Sequence, residues 1–241
     1  MTKLLQTLVD GISVGSLYAL IALGYTMVYG ILQFINFAHS DVFMLGAWFS
    51  YVLAKTAGWA MTDAANVPPW AIGAILLGAM AICGLLGFTI ERLAYRPLRS
   101  APRLNVLITA IGVSLFLQNT GQLNALFGTQ PQRMPSLIVD RTLVTIADVH
   151  VRMVDVIVVV LALALMAALQ WLVFGTKLGR AMRAVSYDTK VAALMGIPVD
   201  AVISFTFVVG SSLAAAAGLL YGLKYPGLNQ PAHATWVLLG L

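Results

Sequence analysis

Long apolar runs, each about as long as a bilayer is thick, constrain this chain more than any other feature of its sequence. A helix needs roughly 20 mainly apolar residues to cross the hydrocarbon core. Six runs of this kind lie near residues 8–30, 37–54, 70–90, 104–127, 153–174 and 201–223. A seventh begins at Trp236 and stops with the chain at Leu241. We therefore predict an all-α fold, a polytopic transmembrane helix bundle that forms one domain over residues 1–241.

The composition agrees with a lipid environment. Of the 241 residues, 60% are apolar and only 10% are charged, whereas a soluble domain carries about a quarter charged residues. The first apolar run is longer than the core of a signal peptide, which is about 7–15 residues, so we expect it to remain as a span. The net charge of +5 comes from short loops between spans, and positive-inside bias explains it without a nucleic-acid partner.

Basic residues indicate the orientation of the bundle. Eight of them lie in two loops, 91–103 and 175–200: Arg92, Arg96, Arg99, Arg103, Lys177, Arg180, Arg183 and Lys190. Two spans separate these loops, so both lie on one side, which the positive-inside rule assigns to the cytoplasm. The 128–152 loop is then outside, as is the N-terminus if both early spans cross fully. The boundary between those two spans, Leu32–Asp41, is the least defined.

The sequence lacks the motifs of several enzyme and metal-binding classes. It has no GxxxxGK[ST] phosphate loop, no HExxH and no CxxC, and its three histidines are far apart. The spans hold almost no ionisable residues. We therefore predict no catalytic residues, no metal and no cofactor.

The segment 179–198, between the last two complete runs, has the signals of a short helix. Ser186 or Asp188 can cap its start with a side-chain oxygen. Gly196 is a typical stop residue, and Pro198 cannot continue a helix. A defined helix in this position indicates a docking surface on the cytoplasmic side of the membrane.

The helix itself is expected over Thr189–Met195, about two turns. Ala192, Ala193 and Leu194 would offer a small, flat surface to a groove of another protein. The alternative is an ordinary cytoplasmic loop whose helix lies on the lipid interface.

This segment resembles the coupling segment of ABC importer permeases, where an alanine pair and a downstream glycine mark a helix held in a cleft of the ATPase. Five further blocks match one family of such permeases in order: GSLYALIALGYTMVYG at 15–30, INFAH at 35–39, ERLAYRPLRS at 91–100, TAIGVSLFLQN at 109–119 and VISFTFVVGSSLAAAAG at 202–218. The chain thus resembles the branched-chain amino-acid permease family of the LivH type. It departs from the family pattern at Ser40, usually glycine, and at Tyr187, usually acidic or Gln.

The resemblance implies a permease subunit of an ATP-driven importer for branched-chain amino acids in the bacterial inner membrane. Two ABC ATPase subunits, a homologous second permease and an extracytoplasmic substrate-binding protein would be its partners. The ATPase-coupling residues it implies are Arg180, Arg183, Asp188, Ala192, Ala193 and Gly196. Family members continue with further spans, so we expect this chain to be truncated at its C-terminus.

Polar residues interrupt the apolar pattern between the first two runs: Asn36, His39, Ser40 and Asp41. Polar side chains at a helix break can satisfy freed backbone groups and line the cavities of transporters, so these four are candidates for the translocation pathway. The alternative, which is compatible, is an N-cap in which Ser40 or Asp41 caps a helix from Val42 onwards.

The sequence also predicts two packing features and leaves two alternative functions open. The GxxxG pairs in Gly11–Gly15 and Gly218–Gly222 predict close helix contacts within the bundle, and Glu91 is placed to pair locally with Arg92. The rivals are a permease for urea, short amides or other amino acids, and a stand-alone secondary transporter or channel. The last of these predicts ionisable residues inside the spans to couple an ion.

Overall fold

The computed structural model of the protein describes residues 2–59, 64–99, 101–123, 126, 134–146 and 149–225. Eight α-helices make up most of this part: α1 Thr2–Leu32, α2 Ala38–Thr56, α3 Ala71–Ile90, α4 Arg103–Gly121, α5 Met153–Gly175, α6 Lys177–Tyr187, α7 Thr189–Leu194 and α8 Val199–Lys224. Shorter elements are a π turn at Glu91–Tyr95, 3-10 turns at Ala64–Asn66 and Arg96–Leu98, and an antiparallel hairpin of β1 Thr142–Ile146 and β2 Val149–Arg152. The predicted helical bundle is confirmed, and the small hairpin is an unpredicted addition.

Within the described ranges, five helical segments have the length and apolar composition that crossing a membrane requires: Lys3–Leu32, Ala71–Leu98, Leu104–Gly121, Met153–Gly175 and Val199–Lys224. The sequence predicted six complete spans. The missing one is α2, which forms where it was expected but begins with the polar stretch His39–Asp41. The seventh run, from Trp236, lies outside the described residues.

Helix α8 is the centre of the bundle and packs against α1, α2 and α3. Its middle consists of small buried residues, Ala214–Ala217, which let neighbouring backbones come close. A Cβ added at Gly218 would lie 2.8 Å from the backbone nitrogen of Ala47 and would also collide with the Phe43 carbonyl oxygen. The predicted seam at Gly218–Gly222 is therefore real, and it joins α8 to α2.

The other predicted seam, Gly11–Gly15, makes no close contact with the part of the chain that the structure describes. A Cβ added at Gly11 or Gly15 would meet no atom of the described structure within 4 Å. The rotation of α1 about its axis explains this, because α1 packs on the bundle through other positions, such as Leu17 and Leu20, which are buried.

The two ends of the bundle differ in what surrounds them. At one end, the N-terminal part of α1 contacts the hairpin, where the backbone N–H of His150 donates to Gln6 Oε1 at 2.8 Å. At the other, Arg96 Nη2 lies 2.6 Å from Asp200 Oδ2, which brings the two predicted basic loops together. We name these the hairpin end and the basic end.

Two local expectations at the basic end need correction. The 91–103 segment is not all loop, because α3 continues through the π turn and the following 3-10 turn to Leu98. Glu91 does not pair with its neighbour: it is fully buried and accepts hydrogen bonds from Arg99 and Ser204, whereas Arg92 is exposed. Adjacent residues on a helix do not face each other, so the predicted pair had unsuitable geometry.

Helix α4 ends at Gly121, six residues earlier than the predicted span 104–127.

Candidate docking and translocation sites

A sharp corner between α5 and α6 sets the position of the insert. Thr176 caps the start of α6, accepting from the Gly179 N–H at 3.0 Å and donating to the Leu172 carbonyl oxygen at 2.6 Å. A Cβ at Gly179 would collide with carbonyl oxygens of the preceding helix, so the turn requires glycine. The insert therefore begins as a new helix at Lys177 rather than as a continuation of the span.

Helix α6 lies across the basic end with one face inward. Its buried residues are Gly179, Met182 and Val185, and α6 packs on α1, α5 and α8. Arg180 and Arg183, both predicted coupling residues, lie on the exposed face. The Arg183 guanidinium stacks 5.0 Å from the centre of the Phe174 ring, which orients that side chain toward the end of α5.

Helix α7 is a separate short helix with a defined start. Asp188, in an extended backbone conformation, caps it by accepting from the N–H groups of Lys190 at 2.8 Å and Val191 at 3.0 Å. Of the two caps that the sequence allowed, Asp188 is the one used, and Ser186 lies inside α6. Asp188 thus acts locally as a structural cap.

The end of α7 depends on glycine. Gly196 has φ +78°, a left-handed conformation that residues with a Cβ rarely adopt. The Ile197 N–H donates to the Ala192 carbonyl at 3.1 Å and the Gly196 N–H to that of Ala193 at 3.0 Å. These two bonds are the Schellman pattern, so the chain reverses directly into α8.

The outer surface of α7 is apolar and strongly exposed. We name it the α7 face; with the adjacent end of α6 it consists of Tyr187 (94% exposed), Val191 (54%), Leu194 (87%) and Met195 (78%). Ala193 is also exposed, while Ala192 is 3% exposed and belongs to the core. The surface therefore has larger side chains than the flat alanine pair that the sequence predicted.

A chain of ion pairs connects the insert to the bundle. Asp200, two residues after Pro198, binds both Arg96 and Arg99. Arg99 also binds the buried carboxylate of Glu91, which accepts from Ser204, one turn further along α8. These side chains join the start of α8, which directly follows the insert, to the end of α3.

The connection from α1 to α2 re-enters the bundle. Leu32 ends α1 beside Arg99 and Thr189 at the basic end, but His39 Nε2 donates to the carbonyl oxygen of Ile21 at 3.3 Å. Ile21 lies about 16 Å before the end of α1, at a rise of about 1.5 Å per residue. Helix α2 therefore begins about halfway through a hydrocarbon core that is about 30 Å thick.

The polar residues of this re-entry are mostly buried. Asn36 accepts a hydrogen bond from the Tyr95 hydroxyl at 2.8 Å, and Ser40 donates to the Phe37 carbonyl at 3.0 Å. The capping interpretation is wrong, because α2 begins at Ala38 and Phe37 occupies the N-cap without a side-chain bond. Ser40 and Asp41 lie inside the first turn instead.

Asp41 faces α4. It is 0% exposed, and its Oδ1 accepts from Gln118 Nε2 at 3.0 Å. The same Gln118 nitrogen donates to Ser114 Oγ at 3.1 Å. The structure thus brings Asn36, His39 and Asp41 into the interior, with Ser40 partly buried beside them.

Sequence reasoning missed a second buried charge group, at the hairpin end. Lys224 binds Asp155, and its Nζ donates to Ser13 Oγ at 2.9 Å, while Ser13 Oγ lies 3.1 Å from Asp155 Oδ1. Arg152 Nε approaches Asp155 Oδ2 at 3.1 Å. The expectation that spans contain almost no ionisable residues was therefore too strong, and the only signal was a lysine that ends an apolar run.

Ser13 also lies within Gly11–Gly15, which reads GISVG and matches the GxSxG pattern of many hydrolases. In those enzymes the serine occupies a strained turn between a strand and a helix. Here it lies inside α1, and the lysine beside it is paired with a carboxylate. This geometry gives no activated nucleophile. Among the residues that the structure describes, no three His, Cys, Asp or Glu side chains are arranged to hold a metal ion.

Spanning helices around a small-residue core, together with a capped helix that projects from a basic end, define a multi-pass membrane protein of the transport type. The chain belongs to the family described as branched-chain amino acid transport system / permease component, whose sequence model matches residues 7–239.

Curated relatives agree with this membership. The chain is 39% identical over 228 residues to the high-affinity branched-chain amino acid transport system permease protein LivH of Salmonella typhimurium, covering 93% of this chain and 72% of the relative. It is 38% identical over 228 residues to the BraD permease protein of the corresponding Pseudomonas aeruginosa system, covering 93% and 73%. These relatives are transport permease components. No solved structure matches the chain.

Proposed function

We propose that this protein is the membrane-spanning permease subunit of an ATP-driven importer for branched-chain amino acids. The observation that carries the proposal is the α7 face, an apolar surface on a rigidly capped helix at the basic end. Its partners would be two ABC ATPase subunits, a homologous second permease and an extracytoplasmic binding protein. The protein lies in the bacterial inner membrane with its basic end in the cytoplasm. It is not itself an enzyme, since ATP hydrolysis belongs to the partner subunits.

The coupling residues have distinct roles in this proposal. Asp188 and Gly196 hold the two ends of α7, so the helix moves as one unit. The exposed Arg180, Arg183 and Ala193 contact the ATPase together with the α7 face. Ala192 packs inward and joins α7 to the bundle. Closure of the ATPase pair would push α7, and Asp200 would transmit the displacement to α3 and α8.

The pathway residues lie where such a displacement could act. Asn36 is bonded to Tyr95, which belongs to the π turn that also carries Glu91. Movement of the π turn would therefore reach the re-entry and with it His39, Ser40 and Asp41. The substrate would pass this region as access alternates between the two sides.

Reconstitution tests the function. The permease pair, ATPases and binding protein in proteoliposomes should accumulate leucine, isoleucine or valine only with ATP inside and ATPases present. Uptake that persists without the ATPases and follows an ion gradient would establish a secondary transporter instead. Uptake of urea or amides, but of none of the three amino acids, would assign the other substrate class.

A substitution at Gly196 tests the docking role. Gly196→Trp should reduce ATP-driven uptake by about tenfold or more, the range of typical coupling free energies, while the permease still inserts in the membrane. Gly58→Trp is the matched control, because Gly58 also has positive φ, +82°, but lies between α2 and α3 at the hairpin end. Equal uptake by the two variants at equal expression would contradict a docking role.

A further inference from the structure

A polar cluster lies inside the helix bundle, around Asp41. Its members come from two helices: Asp41 from α2, and Ser114 and Gln118 from α4. Helix α4 starts at the basic end with Arg103, so Gln118 lies about 22 Å and Ser114 about 16 Å into the membrane, at about 1.5 Å per residue. The cluster therefore lies inside a core about 30 Å thick, on the side of its midplane nearer the hairpin end.

The carboxylate of Asp41 has one open position. Oδ1 accepts from Gln118, but Oδ2 is buried and has no hydrogen-bond partner in the described part of the chain. Its position in the first turn of α2 favours the anion, because the positive end of the helix dipole is there. The dipole stabilises the charge but supplies no donor to Oδ2. A buried carboxylate oxygen without a donor costs considerable free energy, which a ligand with N–H groups would recover.

In the described part of the chain, no cationic side chain donates to Asp41 Oδ2. His39 is the nearest basic residue along α2, and its Nε2 is directed to the Ile21 carbonyl oxygen. On α4, Gln118 donates to Asp41 Oδ1 and to Ser114 Oγ, and both of these α4 side chains are neutral. By contrast, the buried carboxylates Glu91 and Asp155 each bind a cationic side chain of this protein. Asp41 thus differs from both in having no cationic side chain bonded to it among the residues that the structure describes.

From this difference we infer that Asp41 binds the α-ammonium group of the transported amino acid. This inference rests on the proposed function and adds a residue that recognises the substrate. An ammonium group has three N–H donors and one positive charge, which suits Oδ2 together with the amide oxygen of Gln118 as second acceptor. The binding position, beside the start of a helix that begins inside the membrane, resembles that of substrates in many transporters.

The first experiment measures uptake by the reconstituted importer with saturating binding protein. Asp41→Asn keeps the size of the side chain but removes the charge, so leucine uptake should fall by about ten- to hundredfold, the value of a charge-assisted hydrogen bond. Asp41→Glu should retain a measurable part of the activity. Ser50→Ala is the matched control, because Ser50 is equally buried on α2 but donates to a backbone oxygen of its own helix, the Gly46 carbonyl, at 2.7 Å.

The second experiment tests the ammonium group and the carboxylate of the amino acid one at a time. Thermal unfolding of the detergent-solubilised importer is followed with leucine, with isoamylamine, which lacks the carboxylate, and with isocaproate, which lacks the amine. Leucine and isoamylamine should raise the unfolding temperature of the wild type and of Ser50→Ala, but not of Asp41→Asn. This readout remains usable if Asp41→Asn assembles poorly, because the comparison among ligands is also made on wild type.

The outcomes separate this inference from the proposed function. Normal ATP-driven uptake by Asp41→Asn would overturn the inference alone, as would stabilisation of wild type by isocaproate but not by isoamylamine. A wild-type importer without ATP-driven amino-acid uptake would overturn the proposed function.

Discussion

The buried charges at the two ends of the bundle are arranged differently. At the hairpin end, Lys224 and Asp155 are almost completely enclosed, with side-chain exposures of 2% and 4%. At the basic end, only Glu91 is enclosed, whereas its network extends outward through Arg99 to Asp200, whose side chain is 56% exposed. The Lys224–Asp155 pair is enclosed, although Arg152, whose side chain is 41% exposed, also binds Asp155. At the basic end, the ion pairs of Asp200 themselves lie at the surface beside α7.

This difference has a mechanical meaning. Separating an enclosed ion pair leaves a desolvated charge, which costs several kcal/mol, so Lys224 and Asp155 hold α8 to α5 as a fixed contact. Exposed pairs exchange easily with water and contribute little, so the pairs of Asp200 can rearrange at low cost. The end that would meet the ATPase is therefore the one whose charges can move.

The largest effect is expected at the hairpin end. Lys224→Met should lower the free energy of unfolding by about 3–5 kcal/mol, because it leaves Asp155 buried without its main partner. Denaturant unfolding in detergent measures the change, and Lys190→Met, the same substitution at an exposed residue of the basic end, should change it by less than about 0.5 kcal/mol. A double substitution, Lys224→Met with Asp155→Leu, should recover much of the loss. Equal effects of the two single lysine substitutions would remove the distinction between the ends.

An intermediate effect is expected for Glu91. Glu91→Gln removes one buried charge but leaves Arg99 bound to Asp200, so the free energy of unfolding should fall by about 2–3 kcal/mol, the value of hydrogen bonds to charged groups. The control is the adjacent Arg92→Gln, which changes an exposed side chain. A loss as large as that of Lys224→Met would show that both ends are equally rigid.

The smallest stability effect is expected for Asp200→Asn, with a loss of about 1 kcal/mol or less at low salt. Because exposed charges are screened, this loss should disappear near 1 M salt, where the Debye length is about 3 Å. The loss caused by Lys224→Met should persist under the same conditions. Uptake should nevertheless fall at Asp200→Asn while ATP hydrolysis continues, since Asp200 joins the insert to α3. A loss of stability that does not depend on salt would contradict the distinction, because the ion pairs of Asp200 would then behave like the enclosed Lys224–Asp155 pair.

The sequence was sufficient where the cause of a structure is local. Apolar runs predicted the helices, because backbone groups in lipid must bond within their own segment. The end of α7 was readable at Gly196, and its cap was narrowed to Ser186 or Asp188, since a cap and a left-handed stop involve only residues a few positions apart. The blocks shared with the permease family gave the protein class for the same reason: they are contiguous in the chain.

The tertiary structure decided which distant residues meet, and at what depth. Lys224 and Asp155 are separated by 69 positions and Gln118 and Asp41 by 77, so no local pattern reports either contact. Rotation of a helix about its axis placed Ala192 inside and Leu194 outside. It also packed Gly218 against α2 while Gly11 faces no neighbour in the described chain. Such rotations and depths follow from the packing of all helices together, because in a membrane the apolar pattern of one segment does not distinguish lipid from protein.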